Sequence, residues 1–243
     1  MTHELQPASP RPLRTRGRLS GHMYETIKTR LLQGAVPAGG RLSVEALRHE
    51  FGVSKQPVME ALRLLAGDGL VEIFPQIGCV VSTYSAQEAS DFFLMFAGLE
   101  GAVAAVAASR CTPAALTELD SVSVRIRELS RNPDPRVQSQ GYLTLNREFH
   151  ESIHRMSGSR IISDTSRRMW DLSDFLINTG AETPLAFASV ETRQDDHDGI
   201  RQALAARDPE AAKSEMERHI LETVDLLHPR SLQAAGKEVT NLE

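Results

Sequence analysis

Cysteine is scarce in this chain: Cys79 and Cys111 are the two among 243 residues, far apart and without CxxC spacing. Their number and separation exclude a disulfide framework and a cysteine-rich zinc site, leaving two reduced, partly buried thiols. Long apolar runs are missing too. None approaches the ~18 to 20 residues that span a bilayer, and no apolar signal-peptide core follows the charge-rich N-terminus. The expectation is a cytoplasmic protein with no membrane partner. Positive charge is in deficit, 27 Lys and Arg against 32 Asp and Glu for a net charge of −5. The deficit is uneven: up to Ser82 ten basic residues stand against seven acidic ones, and the remainder has 17 against 25. That split predicts a phosphate-facing front end joined to an acidic part with another task. What is present is ordinary: 41% hydrophobic and 24% charged residues, on a chain long enough for two cores.

Residues 1–19 hold Pro7, Pro10 and Pro12 with Arg11, Arg14, Arg16 and Arg18, and little that packs. By composition they read as a disordered basic arm. From Ser20 the pattern turns helical, with Met23, Ile27 and Leu31 at i+4 spacing, Ser20 as cap, and Gly34 and Pro37 as stop. A second short helix follows Ser43 with Leu47 and Phe51 on one face, and Gly52 makes the turn. Ser54 caps a third helix whose inward stripe is Val58, Ala61, Leu62 and Leu65; Pro57 is tolerated in its first turn. Two β-prone runs, 70–74 and 79–81, joined through 75–78, predict a hairpin wing. Residues 20–82 therefore read as one winged helix-turn-helix. Beyond Ser82 a capping box of Ser85 and Glu88 opens the first of six helices. Thr112-Pro113, Asn132-Pro133, Gly158, Gly180 and Asp208-Pro209 punctuate the rest. The fold class is mainly α: the winged module plus an antiparallel all-helical bundle over 83–229, with a flexible tail at 230–243.

The third helix carries the case for double-stranded DNA as partner. With its stripe turned inward, Lys55, Gln56, Met59 and Arg63 project outward, mostly in the N-terminal half that enters the major groove in helix-turn-helix modules. Lys55 can donate to phosphate or guanine, and Gln56 can pair bidentately with adenine. Ser54 and the helix N-terminus suit a phosphate. The pattern Tyr24-x-x-Ile27, Gly34-x-x-Pro37-x-Gly39-x-Arg41-Leu42, Phe51-Gly52-Val53-Ser54-Lys55-x-Pro57-Val58-x-Glu60-Ala61-Leu62, Gly69-Leu70-Val71 and Pro75-x-x-Gly78 resembles the GntR family of bacterial regulators. The resemblance implies a homodimer on a two-fold-related operator, with Arg41 and Gly78 joining the DNA-contacting set. It also marks two departures, Met59 and Ile77, where the family usually carries Arg. The basic arm is a candidate to supply the missing phosphate contacts.

In the helical part, Asn146, His150 and His154 repeat at i+4 along one face, and His197 and His219 fall on two later helices. Imidazoles from three helices can converge on a divalent metal such as Zn, Ni, Fe or Mn; a buried network of neutral histidines is the alternative. Leu99-Glu100, Asn146-x-x-Phe149-His150, His197-x-x-Ile200, Asp208-Pro209-x-x-Ala212 and Met216-x-x-His219 resemble the FCD branch of the same family, the FadR-like effector-binding type. The resemblance implies that Asn146, His150, His197 and His219 hold a metal and that a small organic acid completes its shell. Asn146 stands where many members have Asp, and Phe96 where many have an Arg for a ligand carboxylate. Phe96, Arg147 and His154 are the candidate effector contacts, with His154 expected at the helix edge and Arg147, Arg167 and Arg168 open to ordinary salt bridging. The implied function is a ligand-responsive regulator, with repression the usual direction. A constitutive DNA-binding dimer is the alternative. A metal-dependent hydrolase, with Glu148 or Glu151 as base, fits poorly because no nucleophile and base are paired.

Overall fold

The computed structural model describes residues 13–75, 78–180 and 190–227. They fall into two compact units, Met1–Thr83 and Tyr84–Glu243.

The first unit contains α1 (Leu13–Leu32), β1 (Arg41–Leu42), α2 (Val44–Phe51), α3 (Lys55–Gly67), β2 (Val71–Phe74) and β3 (Gly78–Val81). Met23, Ile27 and Leu31 of α1 are buried with Val58, Leu62 and Leu65 of α3, so the i, i+4 stripes of both helices form one core. Ser43 caps α2, its hydroxyl accepting from Ala46 N at 3.1 Å. Gly52 ends that helix at φ +64°, left-handed backbone that a side chain adopts only with strain. The sheet is antiparallel in the order β1-β3-β2, with Arg41 opposite Val80 and Ile73 opposite Cys79. Two expectations are corrected here. Helix α1 begins at Leu13, so residues 13–19 are helical rather than part of a disordered arm, and Ser20 is buried inside the helix instead of capping it. The wing also has a third strand: β1 is two residues long and has no periodicity to betray it. The remainder of the arm, residues 1–12, lies outside the described residues.

The second unit is all helical among its described residues: α4 (Ala86–Arg110), α5 (Pro113–Ser130), α6 (Pro135–Ser157), α7 (Arg160–Gly180), α8 (Val190–Ala206) and α9 (Pro209–Leu227). The Ser85–Glu88 capping box opens α4, and Thr112 with Pro113 opens α5. Helix α4 packs along α9, closely enough that a Cβ on Gly101 would come within 2.6 Å of Glu217 Cγ. Contrary to the sequence expectation, α4 is long and apolar enough to cross a membrane by length and composition, with a mean hydropathy of 1.8 in its best window. Half of that window is buried in the unit, where Phe93, Phe96, Val103 and Ala104 are core residues. Glu100, which breaks the run in the sequence, is itself fully buried against a partner described below. The tail at 230–243 lies outside the described residues.

Candidate DNA interface and candidate metal centre

On the first unit, Lys55, Gln56 and Arg63 are exposed on α3, and its first turn holds no acidic residue. Gln56 Nε2 donates to Glu60 Oε1 at 3.4 Å, a contact too long to hold it against a base edge. Ser54 occupies the N-cap position in extended backbone, but its side chain makes no capping bond, which corrects the expectation that it caps α3. Its exposed hydroxyl remains beside the free amides of the helix start, where an anion is favoured. Arg41 is exposed on β1. Met59 is half-buried rather than projecting outward. Gly78 starts β3 at φ +100°. The wing-tip position Ile77 lies outside the described residues.

In the second unit, α6, α8 and α9 bring His150, His197 and His219 together. Their ligand-capable nitrogens all lie within 4.8 Å of one another, and the three residues are 0%, 0% and 2% exposed. Aromatic rings enclose them: Phe149 stacks on His197 at 4.0 Å between centroids, and Trp170 lies 4.2 Å from His150. Burial pushes the pKa of each of the three below the ordinary histidine range, helped for His150 and His197 by charge repulsion from His219. For His219 the Asp196 carboxylate opposes the shift. The rings are therefore neutral near pH 7, the form that ligates metal.

Both nitrogens of His150 and both of His197 are buried with no hydrogen-bond partner among the described residues. Leaving a buried polar atom unpaired costs about 1–3 kcal/mol, and a single ion could take one nitrogen from each ring. The donor set fits a divalent metal. His219 Nδ1 faces Asp196 Oδ2 at 3.4 Å, the outer carboxylate that commonly orients a ligating imidazole and leaves Nε2 for the ion. Donors about 2.0–2.1 Å from a tetrahedral ion sit about 3.3 Å apart, so the triad is slightly more open than a filled centre.

Asn146, one turn before His150, lines a cavity of about 30 Å³ together with Tyr142, Trp170, Ser173, Arg193 and His219. Its Oδ1 accepts from the Tyr142 hydroxyl at 3.2 Å. A larger cavity of about 210 Å³ lies at the α6–α7 seam, lined by Arg147, Glu151, His154, Arg155, Arg167 and Trp170. Arg147 is held there by Asp171 at 3.1 Å and by Asp174. Burial raises the Asp174 pKa and the Arg147 charge opposes that rise. His154 is 4% exposed and not at a helix edge: its Nε2 meets Glu100 Oε2 at 2.8 Å. Phe96 lines neither cavity. It is fully buried, stacked on Phe92 and edge-on to Trp170, so its expected place at a ligand is corrected to a core position.

Sequence reasoning missed Trp170, Arg193 and Asp196 beside the triad, and Glu100 as the partner of His154. Arg193 precedes His197 by one turn of α8, a spacing that could have flagged it. Asp196 was hidden because it serves the histidine on α9 rather than its own neighbour.

A winged module with exposed Lys55 and Arg63 on its third helix, followed by a helical unit built around a buried histidine cluster, defines a two-part transcription regulator. Residues 19–81 match the family described as bacterial regulatory proteins, gntR family, and residues 91–222 match the FCD domain. The chain belongs to the GntR family with a C-terminal FCD domain, and it is a transcriptional regulator rather than an enzyme. It is similar to the HTH-type transcriptional regulator YdhC of Bacillus subtilis (strain 168), 25% identical over 218 residues covering 88% of this chain and 92% of the relative. The HTH-type transcriptional repressor RspR of Escherichia coli (strain K12) is 26% identical over 219 residues, 90% of either chain. Among solved structures, E. coli McbR/YncC shares the fold with a TM-score of 0.71 at 22% identity, covering 87% of this chain and 98% of that one.

Proposed function

We propose that this protein is a ligand-responsive repressor that acts in the bacterial cytoplasm as a homodimer on a two-fold-related operator. Each protomer offers Lys55, Gln56 and Arg63 to one major-groove half-site, with Arg41, Ser54 and the backbone at Gly78 positioned for phosphates. The observation that carries the regulatory half is the buried triad of His150, His197 and His219 with its unpartnered nitrogens. These residues, joined by Asn146, would hold Zn, Ni, Mn or Fe, and the ion would supply a Lewis-acid anchor for a small organic acid. Arg193 adds a cation to the wall of the same cavity. Arg147 and His154, placed at the α6–α7 seam, serve the larger cavity instead. Regulation is a population shift: an effector that prefers one arrangement of the dimer changes how well two reading helices match two half-sites. A coupling of about 1–3 kcal/mol is enough for a several-fold to hundredfold change in operator affinity.

Selection of sites from random duplex DNA, followed by native mass spectrometry of the complex, tests this reading. The expected product is a two-fold-related site bound by two chains, each with one divalent metal. A single half-site bound by one chain contradicts the dimer, and a metal-free complex that takes up no added Zn, Ni or Mn contradicts the metal.

A further inference from the structure

The larger cavity at the α6–α7 seam, about 210 Å³, is not used by the histidine triad: Trp170 is common to the walls of both cavities, but none of the three histidines lines this one. Three arginines do, Arg147 and Arg155 from α6 and Arg167 from α7. The Arg147 charge is answered by Asp171 and Asp174. The other two are answered far less. Arg155 is exposed, donates from Nη2 to the Ser152 hydroxyl at 2.7 Å, and forms no ion pair among the described residues. Arg167 reaches Asp164 at 3.7 Å with both side chains more than half exposed, a kind of pair that contributes little. The inner wall is fixed. His154, 4% exposed, is held through Nε2 by the buried Glu100, and Trp170 lies with its ring centre 5.8 Å from the Arg147 guanidinium. The indole Nε1 of Trp170 is a buried donor with no hydrogen-bond partner among the described residues.

These groups select an anion, and their number selects which kind. Each guanidinium is a rigid fork that takes two oxygens, so two forks from two helices outnumber the two oxygens of a carboxylate. A phosphate monoester brings three terminal oxygens and close to two negative charges. Size agrees: a cavity of about 150 Å³ admits benzene, so about 210 Å³ takes a phosphate carrying a short chain. That chain is neutral and hydroxylated, because the remaining polar wall is Glu151, which repels a second anion and accepts from hydroxyls, and Ser163, whose own hydroxyl donates to the Ser159 carbonyl at 3.2 Å. We propose that the α6–α7 seam is a second ligand site, independent of any metal, that takes the phosphate monoester of a small polyol, with Arg155 and Arg167 on the phosphate and Glu151 on the hydroxyls. This extends the reading of the helical unit as a ligand-binding part and does not depend on the triad.

Trp170 is the single tryptophan of the chain, so intrinsic fluorescence reports occupancy of this cavity directly. The full-length protein is stripped of metal with a chelator, dialysed, and titrated at constant ionic strength with glycerol 3-phosphate, inorganic phosphate, glycerol or acetate. The expected result is a saturable change with glycerol 3-phosphate, at an affinity about fivefold or more above that for inorganic phosphate, and no response to glycerol or acetate. Arg155→Gln and Arg167→Gln together weaken glycerol 3-phosphate by about tenfold or more. Arg168→Gln, an exposed neighbour off the cavity wall, leaves it unchanged. Absence of a saturable response to glycerol 3-phosphate overturns the site. Equal affinity for glycerol 3-phosphate and inorganic phosphate overturns the ester and leaves the free ion as the ligand. An equal response to acetate overturns the choice of phosphate, and binding that survives the double substitution overturns the role of the two arginines. Should the doubly substituted protein not fold, the wild-type comparison of the four compounds decides by itself. Metal is absent throughout, so none of these outcomes bears on the triad.

Discussion

At the scale of single residues, chemistry follows burial. Burial pushes the Cys79 thiol up to about 11 and raises Cys111 as well. Both therefore stay protonated at pH 8, where only the thiolate attacks. The native protein is expected to react slowly with a thiol reagent at that pH and to yield both thiols once denatured; fast labelling of either in the native state contradicts their placement. On the reading helix, Gln56 and Lys55 should separate by kind. Gln56→Ala is expected to cost about 1–3 kcal/mol on the cognate operator and to relax preference at one base pair. Lys55→Ala, if Lys55 serves phosphate, weakens binding across sequences and reduces the salt slope by about one. Binding measured at two salt concentrations on cognate and scrambled duplexes tells the two apart.

At the scale of elements, local signals were legible and partnerships between elements were not. The Ser85–Glu88 box, Thr112-Pro113, Gly52 and the i, i+4 stripe of α3 sit within a few residues of the structure they make, so they could be read directly. The start of α1 was missed because Arg- and Pro-rich composition hid a helix that continues into the packed Met23 stripe. Glu100–His154 and Asp196–His219 span 54 and 23 residues of sequence, and no local period encodes them. Two changes probe this level. Gly52→Val forces a β-branched residue into left-handed backbone and is expected to destabilise the first unit by about 1–2 kcal/mol, seen in denaturant unfolding. Asp120 and Arg201 join α5 to α8, and the hydrogen bond from Arg201 holds the Asp120 carboxyl below the usual range. A depressed native pKa stabilises above the unfolded value of about 3.9 and loses that contribution as pH falls through the native one. The pair is partly exposed, so Asp120→Asn should cost under about 1 kcal/mol at pH 7 and nothing once the wild-type carboxyl is protonated. An equal deficit at both ends of the pH range contradicts that assignment.

At the scale of the whole molecule, charge and periodicity revealed a basic reading module joined to an acidic helical bundle, and the three histidines of the bundle were picked out before their helices could be placed. What the sequence did not reveal was how the bundle surrounds them: the aromatic cage, the core position of Phe96, and the division of polar space into a small cavity at Asn146 and a larger one at Arg147. Those depend on how α6, α7, α8 and α9 cross, which no single segment encodes. The account stands on the claim that the bundle controls the reading module. Operator affinity measured by fluorescence anisotropy, with and without saturating Zn²⁺ and acetate together, tests it directly in the wild-type protein and in His197→Ala. The account predicts a change of at least about fivefold in the wild-type protein and none in the variant. An operator affinity that is the same in all four measurements would contradict it.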